Sequence, residues 1–126
     1  MPRRETLRKH ERLYEKVALE SVFQEGTAIT NHPVRLLWTT DKKQSKVPVK
    51  VAFSAPKRIF KSAVTRNLLK RRMREAYRKN KVYKTKASET YDLIFIYTSK
   101  KISPYDEIES KIVLTLQQFK TATGVE

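Results

Sequence analysis

From Tyr14 to Glu25 the apolar residues fall at helical spacing: Leu19, Val22 and Phe23 share one face, and Gly26 follows as a stop. The spacing predicts a first helix that ends near Glu25. Between Ala28 and Thr40 the period shortens to two. Val34, Leu36 and Trp38 alternate against Arg35, Leu37 and Thr39, and Asn31-His32-Pro33 interrupts near the start. After the polar run Asp41 to Lys46, Val47, Val49, Val51 and Phe53 alternate again and stop before Pro56. Read locally, the two alternating runs predict an antiparallel hairpin with the polar run as its loop.

Ser62 to Asn80 contains neither proline nor glycine and returns to a helical period, with Ser62 placed as an N-cap. Tyr91 to Thr98 is almost wholly apolar and β-favouring, as a strand covered on both faces requires. Ser103-Pro104 then reads as N-cap and first-turn proline. Asp106 and Glu107 suit the positive end of a helix dipole, and Ile108, Ile112, Leu116 and Phe119 form a core face. The order is helix, strands, helix, strand, helix, and no internal repeat is visible.

Length adds that these elements share one core, because 126 residues with 39% apolar content leave little room for two. The expected organisation is a flexible segment over residues 1–11, a single domain over 12–121 and a short tail over 122–126. No window of eighteen apolar residues exists, and Met1 to Lys16 is too charged for the apolar core of a secretory signal. A cytoplasmic protein without membrane contact is expected, and the absence of cysteine fits that compartment.

Charge changes the picture more. Residues 42–86 carry seventeen lysines and arginines against one acid, Glu75, whereas the segments on either side are close to neutral. A field of one sign placed on one part of a small domain suits a polyanion, because each cation that neutralises a phosphate releases condensed counterions. On the central helix Arg66, Lys70, Arg74 and Arg78 recur at i, i+4, with Asn67 and Arg71 beside them. Leu69, Met73, Ala76 and Tyr77 gather on a neighbouring arc that can pack on the sheet. Three like-charge pairs at that spacing cost on the order of 1 kcal/mol, which a folded domain tolerates, so the stripe alone does not establish a function. A solvated basic face and a membrane-surface or calmodulin-target helix are the other readings. Arginine content, the lack of interleaved glutamates, and further bases at Lys57, Arg58 and Lys61 favour RNA or DNA.

Protein-based catalysis has few visible parts. His10 and His32 stand outside any metal-ligand spacing, and there is no glycine-rich phosphate loop or nucleophile elbow. Asp92, Asp106, Glu107 and Glu109 could meet a cation, but Asp106 and Glu107 are accounted for as first-turn helix residues.

The run from Lys57 to Arg78 resembles the signature of the bacterial ribonuclease P protein family, an Arg-Asn-Arg motif in a basic helix that continues as Lys-Arg, two apolar residues, Arg-Glu. Arg66, Asn67, Lys70, Arg71, Arg74 and Glu75 match it, and Val22, Phe23 and Gly26 match a Val-Phe-x-x-Gly pattern at the end of the family's first helix. The similarity covers roughly residues 12–120. Leu68 stands where the second arginine of the motif is usual, Arg72 where an apolar residue is common, Lys61 at a frequent glycine, and Leu19 at a frequent aromatic.

The resemblance implies an α/β sandwich of the ribosomal S5 domain 2-like type, with about four strands and the order α-β-β-β-α-β-α. It implies a subunit that assists a catalytic RNA in removing the 5′ leader from precursor tRNA. The hydrolysis and its Mg²⁺ then belong to the RNA; the protein has no catalytic residue and binds no cofactor of its own. Ribonuclease P RNA and precursor tRNA are the implied partners, and DNA is not. Implied contacts to the catalytic RNA are Lys57, Arg58, Lys61, Arg66, Asn67, Lys70, Arg71, Arg74 and Arg78. Implied contacts to the leader are Phe23, Leu19, Leu37 and Trp38, with the sequence leaving open which of Leu37 and Trp38 faces the first helix. A general ribosome- or structured-RNA-binding protein is the alternative. A DNA-binding regulator fits less well, since such a protein usually dimerises and reads base edges from a recognition helix.

Overall fold

The computed structural model describes residues 11–41, 48–81 and 90–124. Their elements run α1 (Lys16–Glu25), β1 (Thr27–Asn31), β2 (Val34–Asp41), β3 (Val49–Ser54), α2 (Ala63–Asn80), β4 (Thr90–Tyr97) and α3 (Tyr105–Thr123). The order is the one that the periodicities and the resemblance gave. Of the expected flexible N-terminal segment, residues 1–10 lie outside the described residues. At the other end α3 runs on into the expected tail, and Gly124 closes it in the left-handed region, φ 77°, which glycine enters without a Cβ penalty.

The four strands form one sheet in the order β1-β2-β4-β3. β1 pairs antiparallel with β2, β2 antiparallel with β4, and β4 parallel with β3. The hairpin expected between the second and third strands is therefore not formed. β4 lies between them, with Leu93 opposite Trp38 on one side and Val51 on the other. The reason is burial. β4 is apolar on both faces, with Leu93 and Phe95 fully buried and Ile94 at 1% exposure, so the interior of the sheet is the place that satisfies it. The tight hairpin joins β1 and β2 instead, across His32 and Pro33, and the His32–Pro33 peptide bond is cis. The polar run expected as the loop of the unformed hairpin lies, for residues 42–47, outside the described residues.

Strand alternation sorts the side chains into two layers. Leu36, Leu93, Phe95, Tyr97 and Val51 face α2 and α3, where Leu69, Met73, Tyr77, Ile112 and Phe119 complete the larger core. Ile94, with Leu37, Ala52 and Ile96, faces the other way and is covered by Leu13, ahead of α1, and by Ala18, Leu19 and Val22 on it. Each large side chain removed from water contributes roughly 1.5–3 kcal/mol before entropy is counted.

Two details set the frame of the site. Ahead of α1 the chain runs beside β3: Arg12 forms a parallel bridge with Val51, and the Leu13 N–H donates to the Val51 carbonyl at 2.8 Å. The Glu11 carboxylate reaches the Lys81 ammonium at 2.5 Å, fixing this segment to the end of α2. At α2, Ser62 is the N-cap and its hydroxyl accepts from the Thr65 N–H at 3.4 Å. Ser103 does not cap α3. Pro104 holds that position, and the Ser103 hydroxyl lies 3.0 Å from the Tyr97 hydroxyl.

Candidate nucleic-acid interface

Lys57, Arg58 and Lys61 are exposed on the loop between β3 and α2. This loop is held. The N–H groups of Ile59 and Phe60 donate to the Pro56 carbonyl at 3.1 Å, and the Phe60 ring is buried 5.9 Å from that of Tyr97. Arg66 then folds back from the first turn of α2, and its Nη1 donates at 2.9 Å to the carbonyls of both Phe60 and Lys61.

The i, i+4 row on α2 does not present four equivalent cations. At 3.6 residues per turn such a row drifts by about 40° per step, so it begins at the edge of the core and ends on the outer face. Arg66 at the start is engaged with the loop, and Arg78 at the end is ion-paired with Glu75. Lys70 is half-buried, while Asn67, Arg71 and Arg74 are exposed. Arg72 points along the α3 side and donates to the Ser103 carbonyl at 2.6 Å. Among the described residues no acid pairs with Lys57, Arg58, Lys61, Lys70, Arg71 or Arg74. These six charges share one helix and the loop that leads into it, so they are carried on a fixed frame.

Beside this face lies a groove of about 560 Å³, lined by Arg12, Leu13, Tyr14, Val51, Ala52, Phe53 and Arg74. The Arg74 guanidinium carbon sits 5.9 Å from the Phe53 ring centre, and Phe53 stacks in turn on Phe95 at 5.8 Å and 11°. Tyr14 is 66% exposed at the mouth. Cations over aromatic planes suit both phosphate and an unpaired base. Arg12, Tyr14 and Phe53 were not singled out from the sequence. Arg12 precedes the helical period, Tyr14 opens it without sharing the face of Leu19, Val22 and Phe23, and Phe53 reads there as one more member of an alternating strand.

The residues expected on the leader side separate. Leu19 and Leu37 pack in one cluster beneath α1, and Phe23 stands out from the same helix with 55% of its surface exposed. Trp38 faces the other layer, edge-on to Tyr91 at 5.8 Å and to Phe119 at 5.6 Å. Neighbours on a strand point to opposite faces, so Leu37 and Trp38 do not line the same surface.

The acids offer little to a metal. Asp92 is buried in β4, Asp106 and Glu107 are exposed on the first turn of α3, and Glu109 accepts from Asn80 at 3.0 Å and from the Tyr105 hydroxyl at 3.2 Å. Burial, followed by the Glu109 carboxylate, pushes the Tyr105 hydroxyl up to about 12. Among the described residues no three His, Cys, Asp or Glu side chains are grouped to hold an ion. His32 is exposed on its turn, and His10 lies outside the described residues. No described helix is long and apolar enough to cross a membrane.

The family model for ribonuclease P matches residues 7–120. A ribonuclease P protein component from Symbiobacterium thermophilum is 30% identical over 109 residues, covering 84% of this chain and 88% of that protein. One from Porphyromonas gingivalis is 39% identical over 75 residues, 60% of this chain, and the match spans only 55% of that relative's length. The fold is similar to that of the Staphylococcus aureus RNase P protein, with TM-score 0.69 and 19% identity over 87% of this chain and 95% of that one. It is also similar to the RNase P protein from Thermotoga maritima, with TM-score 0.67 and 21% identity over 86% and 96%.

Proposed function

The chain belongs to the ribonuclease P protein family, and from that premise we propose that it is the protein subunit of a ribonuclease P, acting in the cytoplasm on precursor tRNA. The observation that carries the proposal is the set of six cations on α2 and its leading loop that no acid pairs among the described residues, placed next to an aromatic groove. In this reading Lys57, Arg58, Lys61, Lys70, Arg71 and Arg74, with Asn67, dock the domain on the phosphates of the catalytic RNA. Arg66 and Arg78 shape that surface from within. The catalytic RNA, with Mg²⁺ bound to it, supplies the hydrolysis.

The 5′ leader passes over the groove at Tyr14, Phe53 and Arg74 and over Phe23 on α1, with Leu19 seating that helix in the cluster that holds Leu37 of β2. Trp38, whose face is covered by α3, is left out of the leader surface. A single strand crossing such a surface gains about 1–3 kcal/mol per stacked base and meets fixed positive charge rather than the repulsion of another RNA. The domain over residues 12–121 is the RNA-binding unit.

The test is the affinity of the protein–RNA complex for precursor tRNA relative to mature tRNA. A preference for the precursor that shrinks in Phe23→Ala and in Tyr14→Ala supports the leader path. Equal affinity for the two tRNAs in the unaltered complex overturns it and moves a general RNA-binding role to first place.

A further inference from the structure

Between β4 and α3 the chain buries Ser99 and Ser103, at 6% and 7% exposure, and leaves Lys100, Lys101 and Ile102 exposed between them. The tip is fixed from three directions. The Lys101 N–H donates to the Ser99 hydroxyl oxygen at 3.0 Å. The Tyr97 hydroxyl donates to the Lys101 carbonyl at 2.5 Å and accepts from the Ser103 N–H at 2.9 Å. Arg72 reaches across from α2 to the Ser103 carbonyl at 2.6 Å. A solvated connection needs none of this, because water satisfies its backbone.

The position of the tip completes a pattern. β3 and β4 are parallel, so the loops that follow them leave the same end of the sheet, where the Phe60 and Tyr97 rings approach to 5.9 Å. Lys100 and Lys101 therefore stand at the end that also carries Lys57, Arg58 and Lys61. Asp106 and Glu107 lie beyond them on the first turn of α3, where the helix dipole favours acids. Among the described residues neither lysine is ion-paired. On α2, Val64, Leu68 and Arg72 form one i, i+4 ridge, on the opposite flank from Arg74. Val64 is 79% exposed, Leu68 brings no charge, and Arg72 is turned to the loop. Toward the C-terminal end of this flank Lys79 is exposed over the Tyr105 ring of α3 at 5.6 Å, and at its N-terminal end, among the described residues, the cations come from the loop.

We propose that Lys100 and Lys101, with Arg72 as the positioning residue that fixes their loop, form a second phosphate-contacting edge, so that structured RNA is held from both flanks of α2. This inference rests on the ribonuclease P reading and adds to it the extent of the contact surface. The lysines act as point charges on backbone phosphates, without reading sequence.

The test is the salt dependence of binding to ribonuclease P RNA for the full chain, with Lys100→Ala/Lys101→Ala and Arg71→Ala/Arg74→Ala measured in parallel. Loss of two phosphate contacts lowers the slope of log K against log salt by about 1.8 in the lysine variant. An unchanged affinity and slope there, with a reduced slope in the arginine variant, overturns the loop edge and leaves the ribonuclease P reading standing. If the unaltered protein binds this RNA no better than an unrelated structured RNA, both fall. The role of Arg72 is read separately. In Arg72→Met the Lys101 amide exchanges its hydrogen faster while unfolding stays cooperative, and an unchanged exchange rate overturns that role.

Discussion

Arg66 Nη1 sits 2.9 Å from the carbonyl oxygen of Phe60, six residues back along the chain, and the same nitrogen also reaches the Lys61 carbonyl. The first arginine of the basic helix is thereby a clasp on the loop that carries Lys57, Arg58 and Lys61. Arg66→Ala leaves two carbonyls short of a charged donor and is expected to lower stability by about 1–2 kcal/mol in urea unfolding. Arg66→Lys recovers only part, since one ammonium lacks the planar fork of the guanidinium. A variant as stable as the original shows that the clasp is dispensable.

Gly26 ends α1 with an ordinary φ of −69°, so its requirement is space and not backbone freedom. A Cβ there would lie 2.3 Å from the Val22 carbonyl oxygen and 3.3 Å from that of Trp38. Gly26→Ala must open the last turn of α1, where the Gly26 N–H donates to the Val22 carbonyl at 2.9 Å, and is expected to cost about 1–3 kcal/mol. A thermal melt within experimental error of the unaltered protein contradicts the close approach.

Arg71 and Arg74 are exposed and unpaired among the described residues, and Arg74 also lies over Phe53. Arg71→Ala with Arg74→Ala is expected to reduce the salt slope of RNA binding by about two contacts while leaving the unfolding midpoint nearly unchanged. A large loss of stability with an unaltered slope makes these residues structural.

Tyr105 is held in its neutral form by burial and by the Glu109 carboxylate, with its hydroxyl pushed up to about 12 from the ordinary 10.0. Below that ordinary value both folded and unfolded chains keep the proton, and the contribution is intact. As pH rises from about 10 to about 12 the unfolded chain loses its proton first, so stability falls with rising pH. Denaturant unfolding of the original and of Tyr105→Phe across that window should show a steeper loss in the original. Parallel curves rule the effect out.

Much of the fold was legible because its signals are local. Ser62 caps α2 where the sequence placed it, and the apolar run of β4 announced a strand covered on both faces. What escaped was non-local. Val34 to Asp41 and Val49 to Ser54 alternate as hairpin partners would, yet nothing in either run reports that a strand some forty residues later takes the place between them. The cations were readable as a set but not as individuals. Sequence spacing cannot distinguish Arg74, which faces the groove, from Arg66 and Arg72, whose guanidinium groups are bound to backbone carbonyls. Arg72 is instructive, because it departs from the usual apolar residue of the motif and its partner, Ser103, lies on another element.

The most direct measurement is cleavage of a precursor tRNA by a bacterial ribonuclease P RNA at low Mg²⁺, with and without this protein and with the Arg71→Ala/Arg74→Ala variant. Stimulation of correct 5′ cleavage by the unaltered protein, largely lost in the variant, is the expected result. Cleavage that is the same with the protein present or absent contradicts the proposed role as the protein subunit.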